Sequence, residues 1–332
     1  MWFTQTKKAH ISYALVAIIG LSGIYTTAEA QSSTGAQAEQ ANDIVRSVLG
    51  PRKNVDEAYG AFQRGEYLTA LALALPRAND DDAAAQTLIA ELYANGLGVG
   101  RNFARASSWY ALADKNGDLN ATFQLALLYQ DGRGVPKNRA RAAELIKKAA
   151  DGGIVAAKYN LALLHIEGRY AAPDYSIAAA LLKEAADADI AEAQYDYGQV
   201  LIAGAGVAPN LEEGVLYIGK AAANGNIAAM VEYATFLAQG KGAPLDLENA
   251  ALWYLKAAEL GNAVGQARYG RMLASGAGVK ANMIEAAMWR ELARRQGLDD
   301  PVLGELLKDL SKEDKALAVE RARYWPDKPP AD

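Results

Sequence analysis

Tyr93-Ala94-Asn95-Gly96 ends on a glycine that returns without a gap as Gly132, Gly168, Gly204, Gly240 and Gly276, one every 36 residues. A fixed period of this size marks a solenoid, because each unit is one supersecondary element that cannot bury its apolar face alone. The units open at Ala85, Ala121, Ala157, Ala193, Ala229 and Gly265, and each reads helix, turn, helix. In Ala121-Thr-Phe-Gln-Leu-Ala-Leu-Leu-Tyr129, the residues Ala121, Leu125, Leu128 and Tyr129 share one face at helical spacing. Gly132 ends that helix, since a helix commonly stops at a residue of positive φ, which glycine adopts without steric cost.

The second helix of each unit has its own start signal. Asn102, Asn138, Asp174, Asn210, Asp246 and Asn282 stand at the same interval, and their side-chain oxygens can accept from an orphan N–H of the first turn. The helix carries a stripe such as Ala106, Trp109, Tyr110 and Ala113, or Ala250, Trp253, Tyr254 and Ala257. Gly117, Gly153, Gly225, Gly261 and Gly297 terminate it. Small residues at Ala90, Ala126, Ala162, Gly198, Ala234 and Gly270 let neighbouring helices approach closely. Outside the array, residues 55–63 and 66–75 read as a helical hairpin, and Asp300-Pro301 opens a closing pair over 302–310 and 313–324.

The expected organisation is a signal peptide (1–30), a flexible leader with a short helix at 36–49 (31–53), an N-terminal helical cap (54–84), six repeats (85–300), a C-terminal helical cap (301–325) and a disordered tail (326–332). Lys7 and Lys8 precede an apolar run over 11–25, and Ala28-Glu29-Ala30 offers small residues where a signal peptidase cuts. The run is short for a membrane span, so no membrane insertion is expected after its removal; an uncleaved anchor is the rival reading. Localisation is therefore expected to be periplasmic or secreted.

Fifth-unit residues Ala229, Tyr233-Ala234, Gly240-Lys-Gly242, Asp246, Ala250, Trp253-Tyr254, Ala257-Ala258 and Gly261 resemble the Sel-one-like repeat family, a branch of the tetratricopeptide-type helical solenoids. Gly96-Leu-Gly98-Val99 and Trp109-Tyr110 repeat the likeness in the first unit, which extends over about residues 57–300. The resemblance implies an all-α fold, a right-handed α/α superhelix of six 36-residue helix-turn-helix repeats with helical caps. It also implies a scaffold for protein partners, with the first helices lining the concave wall. Exported bacterial members include periplasmic regulators of envelope signalling and polysaccharide production, and host-contacting secreted proteins. Cysteine-rich members staple each unit with a disulfide, and this chain has no cysteine. The third unit also departs from the pattern, with Tyr170-Ala171-Ala172-Pro173 where most others carry Gly-Val, and with His165 for tyrosine. Neutral change in a tolerant loop explains this; a local hinge or partner contact is the alternative.

A net charge of −5 gives a nucleic-acid role no electrostatic support. Without cysteine there is no thiolate metal site and no thiol nucleophile. His165, the one histidine after residue 30, reads as a packed residue, since a metal site needs several convergent ligands. Asp80-Asp81-Asp82 reads as an acidic helix start rather than a cation site. Gly96-Leu-Gly98 follows a helix, so it is no dinucleotide fingerprint. Neither an enzyme nor a cofactor is expected.

The candidate site is therefore a surface. Positions that vary between units while their neighbours repeat lie opposite the apolar stripe of the first helices. They include Gln124, Asn160, Asp196, Gln199, Glu232, Thr235, Arg268 and Arg271, running from acidic to basic along the array. A solvated face and a binding face are both consistent with that pattern. Reversing Arg268 and Arg271 is expected to weaken partner binding and spare the melting temperature. A membrane sensor or an envelope assembly protein is the partner class that the resemblance suggests. Tyr159, Tyr195, Tyr197, Tyr233 and Tyr269 form ladders that read first as inter-helix packing. A glycan- or cell-wall-binding module using those rings is the second function considered.

Overall fold

The computed structural model describes residues 56–326. The expected signal peptide and leader, and tail residues 327–332, lie outside the described residues. Sixteen α-helices and no strand make up the described part. The N-terminal pair is α1 (Glu57–Gln63) and α2 (Tyr67–Asn79). Twelve helices of 13 residues follow: α3 (Ala83–Asn95), α4 (Phe103–Lys115), α5 (Leu119–Asp131), α6 (Arg139–Asp151), α7 (Val155–Glu167), α8 (Tyr175–Asp187), α9 (Ala191–Ala203), α10 (Leu211–Ala223), α11 (Ile227–Gln239), α12 (Leu247–Glu259), α13 (Ala263–Ser275) and α14 (Met283–Arg295). Two more, α15 (Pro301–Leu306) and α16 (Lys312–Tyr324), end the array. Each helix from α1 to α13 packs on the next in chain order, while α15 returns to α13 and α16 to α14. This is an all-α solenoid of six tandem helix pairs with helices at both ends.

Backbone chemistry sets the element bounds. All six first helices end on the in-phase glycine in the left-handed region, with φ between 62° and 75°. All six Asn or Asp residues before the second helices cap them, each accepting a backbone N–H of the first turn. The second helices end two residues before a positive-φ position filled by Gly117, Gly153, Gly225, Gly261 and Gly297, and by Asp189 in the third repeat. Asp81 takes the same conformation ahead of α3. Both aspartates receive a side-chain bond there, Asp189 from Gln194 at 3.0 Å and Asp81 from Asn116 at 3.2 Å.

Three bounds differ from the sequence expectation, one of them α15, which stops at Leu306 instead of running to 310. The first helices start two residues ahead of the opening alanine, capped by Asp82, Asp118, Asn226 and Asn262 in four repeats. Ile154 and Ile190 hold that place in α7 and α9 without a side-chain bond. Helix α2 also runs through Pro76 to Asn79 instead of stopping at Leu75. A proline removes one helical hydrogen bond, but Ala70, Ala74 and Ala78 are fully packed on one face. Burial of that stripe outweighs the local preference.

The core lies between successive helices. Ala90, Ala126, Ala162 and Ala234 are fully buried. At Gly198 an added Cβ would come within 2.7 Å of Ile218 and 2.8 Å of the Gly214 carbonyl, so α9 and α10 touch backbone to backbone. The second glycine of the loops, present in every repeat but the third, is also constrained. A Cβ on Gly134, at φ 71°, would lie 2.2–2.5 Å from backbone atoms of Phe103 and Ala104 in the preceding repeat. Gly206 and Gly278 meet Tyr175 and Leu247 in the same way, at 2.2 and 2.1 Å. Gly134→Ala should therefore destabilise more than Asn138→Ala, which loses one cap worth about 1 kcal/mol. Urea melts of the two variants check the order, and equal losses would mean the loop is not seated on α4.

Candidate functional site: the first-helix face

The sixth residues of the first helices are Leu88, Gln124, Asn160, Asp196, Glu232 and Arg268, and the ninth are Glu91, Leu127, Leu163, Gln199, Thr235 and Arg271. The preceding turns fix their helix phase, so each column keeps one register along the array, although Leu88 at its start is 5% exposed and packs into the core. Gln124 and Arg268 are exposed, whereas Asn160, Asp196, Gln199, Glu232, Thr235 and Arg271 are half-buried.

Half-burial comes with partners. Tyr159 of the third repeat donates its hydroxyl to Asp196 of the fourth at 2.9 Å. Tyr195 repeats the move to Glu232 of the fifth at 2.8 Å, and Gln199 donates to the same oxygen at 2.6 Å. Asn160 donates to the Ala156 carbonyl of its own helix at 2.8 Å. Burial pushes the Asp196 carboxyl above its ordinary pKa; the Tyr159 hydroxyl opposes the shift and nearby Glu192 adds to it. Burial raises Glu91 as well, helped by Asp118. Burial, then Asp196, raises the Tyr159 hydroxyl.

Two expected site residues prove to be structural. Thr235 does not face outward: its hydroxyl donates to the Val231 carbonyl and lies 2.7 Å from the Tyr254 hydroxyl of its own repeat. Arg271 is not a free cation beside Arg268. Its guanidinium grips Asp300 with two hydrogen bonds of 2.7 and 2.6 Å. Asp300 is buried and also caps α15 through the Leu303 N–H. Burial alone would raise the Asp300 carboxyl, but Arg271 and the helix N–H groups together hold it below its ordinary value.

Sequence reasoning missed a buried polar ladder at the fourth residue of the first helices. Gln86, Gln194 and Gln266 are almost fully buried. Each donates to the carbonyl of the alanine eight residues earlier, at 2.9, 3.1 and 3.2 Å. Each accepts 2.9 Å bonds from the residue thirty later, Asn116, Asn224 and Gln296. The glutamines tie the last turns of two consecutive second helices together. Their shared phase is visible in the chain, but Thr122, Lys158 and Met230 interrupt the series.

The tyrosines are structural in large part. Tyr197 and Tyr269 are buried and meet Tyr217 and Trp289 edge-on at 4.8 and 5.9 Å, and Tyr233 meets Trp253 at 5.9 Å. Rings engaged in this way have little face left for a sugar. His165 is half-buried rather than packed in the core, and its Nδ1 lies 2.8 Å from the Ala172 carbonyl, bracing the irregular third loop. Asp82 caps α3 and pairs with Arg77 at 2.7 Å. A groove of about 250 Å³ beside α12 is lined mainly by apolar side chains, among them Leu252, Leu255 and Val279. Among the described residues no three His, Cys, Asp or Glu side chains converge as a metal site requires, and no helix is long and apolar enough to cross a membrane.

Tandem helix pairs with a repeated core and a varied face define a helical-repeat scaffold, a class that typically mediates protein–protein interaction and is generally non-catalytic. The Sel1 repeat family matches residues 83–118, 119–154, 155–190, 191–226, 227–262 and 263–298. The chain belongs to the Sel1 repeat family. It is similar to the Sel1 repeat protein of Oxalobacter formigenes, with 29% identity and a TM-score of 0.63 over 72% of this chain and 97% of that one. A putative Sel1 repeat protein of Klebsiella pneumoniae is 21% identical, with a TM-score of 0.40 over 61% and 98% of the two chains. A protective antigen of uropathogenic Escherichia coli displaying an SLR fold is also 21% identical, with a TM-score of 0.41 over 86% and 75%. No curated protein matches the chain.

The two arginines should separate cleanly. Arg271→Ala leaves buried Asp300 unpaired and should cost roughly 3 kcal/mol, the lower end for a buried pair that loses one partner. Arg268→Ala should leave the melting temperature unchanged. Because Asp300 is depressed in the fold, its contribution is complete above the unfolded carboxylate value of about 3.9 and is lost as pH falls through the folded value. Thermal melts from pH 6 to pH 2 should therefore fall steeply for the wild type at the acid end and less so for Arg271→Ala. Parallel curves would contradict this assignment.

Proposed function

We propose that this protein is exported and acts in the cell envelope as a non-catalytic scaffold or regulator, binding a protein partner along its first-helix face. The observation that carries the reading is the sixth-residue column. Gln124, Asn160, Asp196, Glu232 and Arg268 differ in chemistry from repeat to repeat, while the in-phase Ala126, Ala162 and Ala234 in the same helices are fully buried. A face whose chemistry varies while its neighbours repeat, set at regular intervals, suits an extended protein surface. Arg268 at the basic end is exposed, whereas Tyr159 and Tyr195 hold Asp196 and Glu232 in place. Lys7, Lys8, the apolar run over 11–25 and Ala28-Glu29-Ala30 support export to the periplasm or beyond. By family analogy, the partner is a membrane sensor's periplasmic domain or an envelope assembly enzyme.

A crosslinking pull-down with residues 31–332 from the protein's own envelope tests this. The expected result is one enriched membrane or assembly protein, recovered at least tenfold less with Arg268→Glu. Recovery of the bait in the cell-wall fraction, with no protein above background, would replace this reading with the glycan-binding one.

A further inference from the structure

Neighbouring repeats are joined beyond their apolar packing by two devices, a polar crossing and a seated glycine. Thr122 donates to Asp114 at 2.5 Å between the first and second repeats. Gln194 with Tyr159, Tyr195 with Gln199, and Gln266 make the crossings at the three later junctions. Between the second and third repeats these positions are turned inward or lack the chemistry. Lys158, at the glutamine position, pairs with Glu184 of its own repeat. Phe123, at the position of Tyr159 and Tyr195, has no hydroxyl, and Asn160 bonds its own helix.

The second device fails at the same junction. Gly98, Gly134, Gly206, Gly242 and Gly278 seat against the preceding repeat, where a Cβ would lie 2.1–2.7 Å from its atoms. Their in-phase partner is Tyr170, which is 39% exposed and is absent from the positive-φ residues. A side chain cannot enter that seat, so the third loop lacks this contact. Its closing bond, from the Asp174 N–H to the His165 carbonyl, is stretched to 3.4 Å, against 2.8–3.0 Å in the other five repeats.

We infer that the junction between the second and third repeats is a compliant joint in the array, across which the two flanking segments move while each stays rigid. Small rotations there change the spacing of the sixth-residue column between Gln124 and Asn160, and so adapt the face to what it binds. This rests on the junction's own bonding and stands whether or not a protein partner is found.

The chain has no cysteine, so spin labels can be placed on exposed in-phase positions of the second helices. Ser108→Cys with Ala180→Cys spans the joint, and Ala180→Cys with Leu252→Cys spans an equal number of repeats beyond it. Double electron–electron resonance should give a distribution at least twice as wide for the first pair. Lys158→Gln with Ala188→Asn and Tyr170→Gly rebuilds both devices with residues the other repeats already use, and should narrow it to match the second pair. In the same proteins, amide exchange over 168–174 should slow at least tenfold. Equal widths in the unaltered background overturn the joint even if that loop exchanges fast, and so does a width that the rebuilt junction leaves unchanged.

Discussion

The structure depends on how closely one repeat's loop approaches the backbone of the repeat before it. Each first helix stops at a positive-φ glycine, and two residues later, in every repeat but the third, the chain passes where a Cβ would collide with the preceding second helix, as Gly134 does over Phe103. That pair of demands fixes loop length, and with 13-residue helices on either side it fixes the period. A residue inserted in the loop would unseat it and rotate everything that follows. The array is thus a chain of nearest-neighbour contacts, in which a local loss is felt mainly by adjacent units.

Polar groups inside such an array must be matched, because an unpaired buried donor or acceptor is costly. The glutamine ladder does this by joining the last turns of successive second helices. At the C-terminal end the same need is met differently. Asp300 is held by Arg271 and caps α15, while Arg295 donates to the Ala322 carbonyl at 2.8 Å, fastening α16. The closing helices thereby satisfy groups that a seventh repeat would otherwise cover. What remains fully outward in the sixth-residue column is Gln124 and Arg268, while Asp196 and Glu232 between them also tie neighbouring repeats together.

Legibility in the sequence follows the range of the interaction. Gly132 and Asn138 announce their roles because a positive φ and an orphan N–H are demands one residue meets alone, and both could be read without coordinates. The apolar stripe of α5 and the close-approach alanines were equally plain, since helical period alone places them. Arg271 was not, for its partner lies 29 residues on, in the cap beyond the last repeat, where periodicity carries no information. Thr235 likewise turns toward Tyr254 across a helix pair. The continuation of α2 through Pro76 depends on the burial of Ala74 and Ala78, which a local preference cannot register. The polar ladder was hidden by Thr122, Lys158 and Met230 standing among its glutamines.

The central claim is that partner contact belongs to the first-helix face and not to the outer face of the second helices. Photo-crosslinking amino acids placed one at a time at Gln124, Glu232 and Arg268, and at the exposed outer positions Glu144, Leu216 and Leu252, would test it in intact cells. Discrete crosslinked species from the first set, and none from the second, are the predicted result. The same species from the outer set, with the first set silent, would contradict the account.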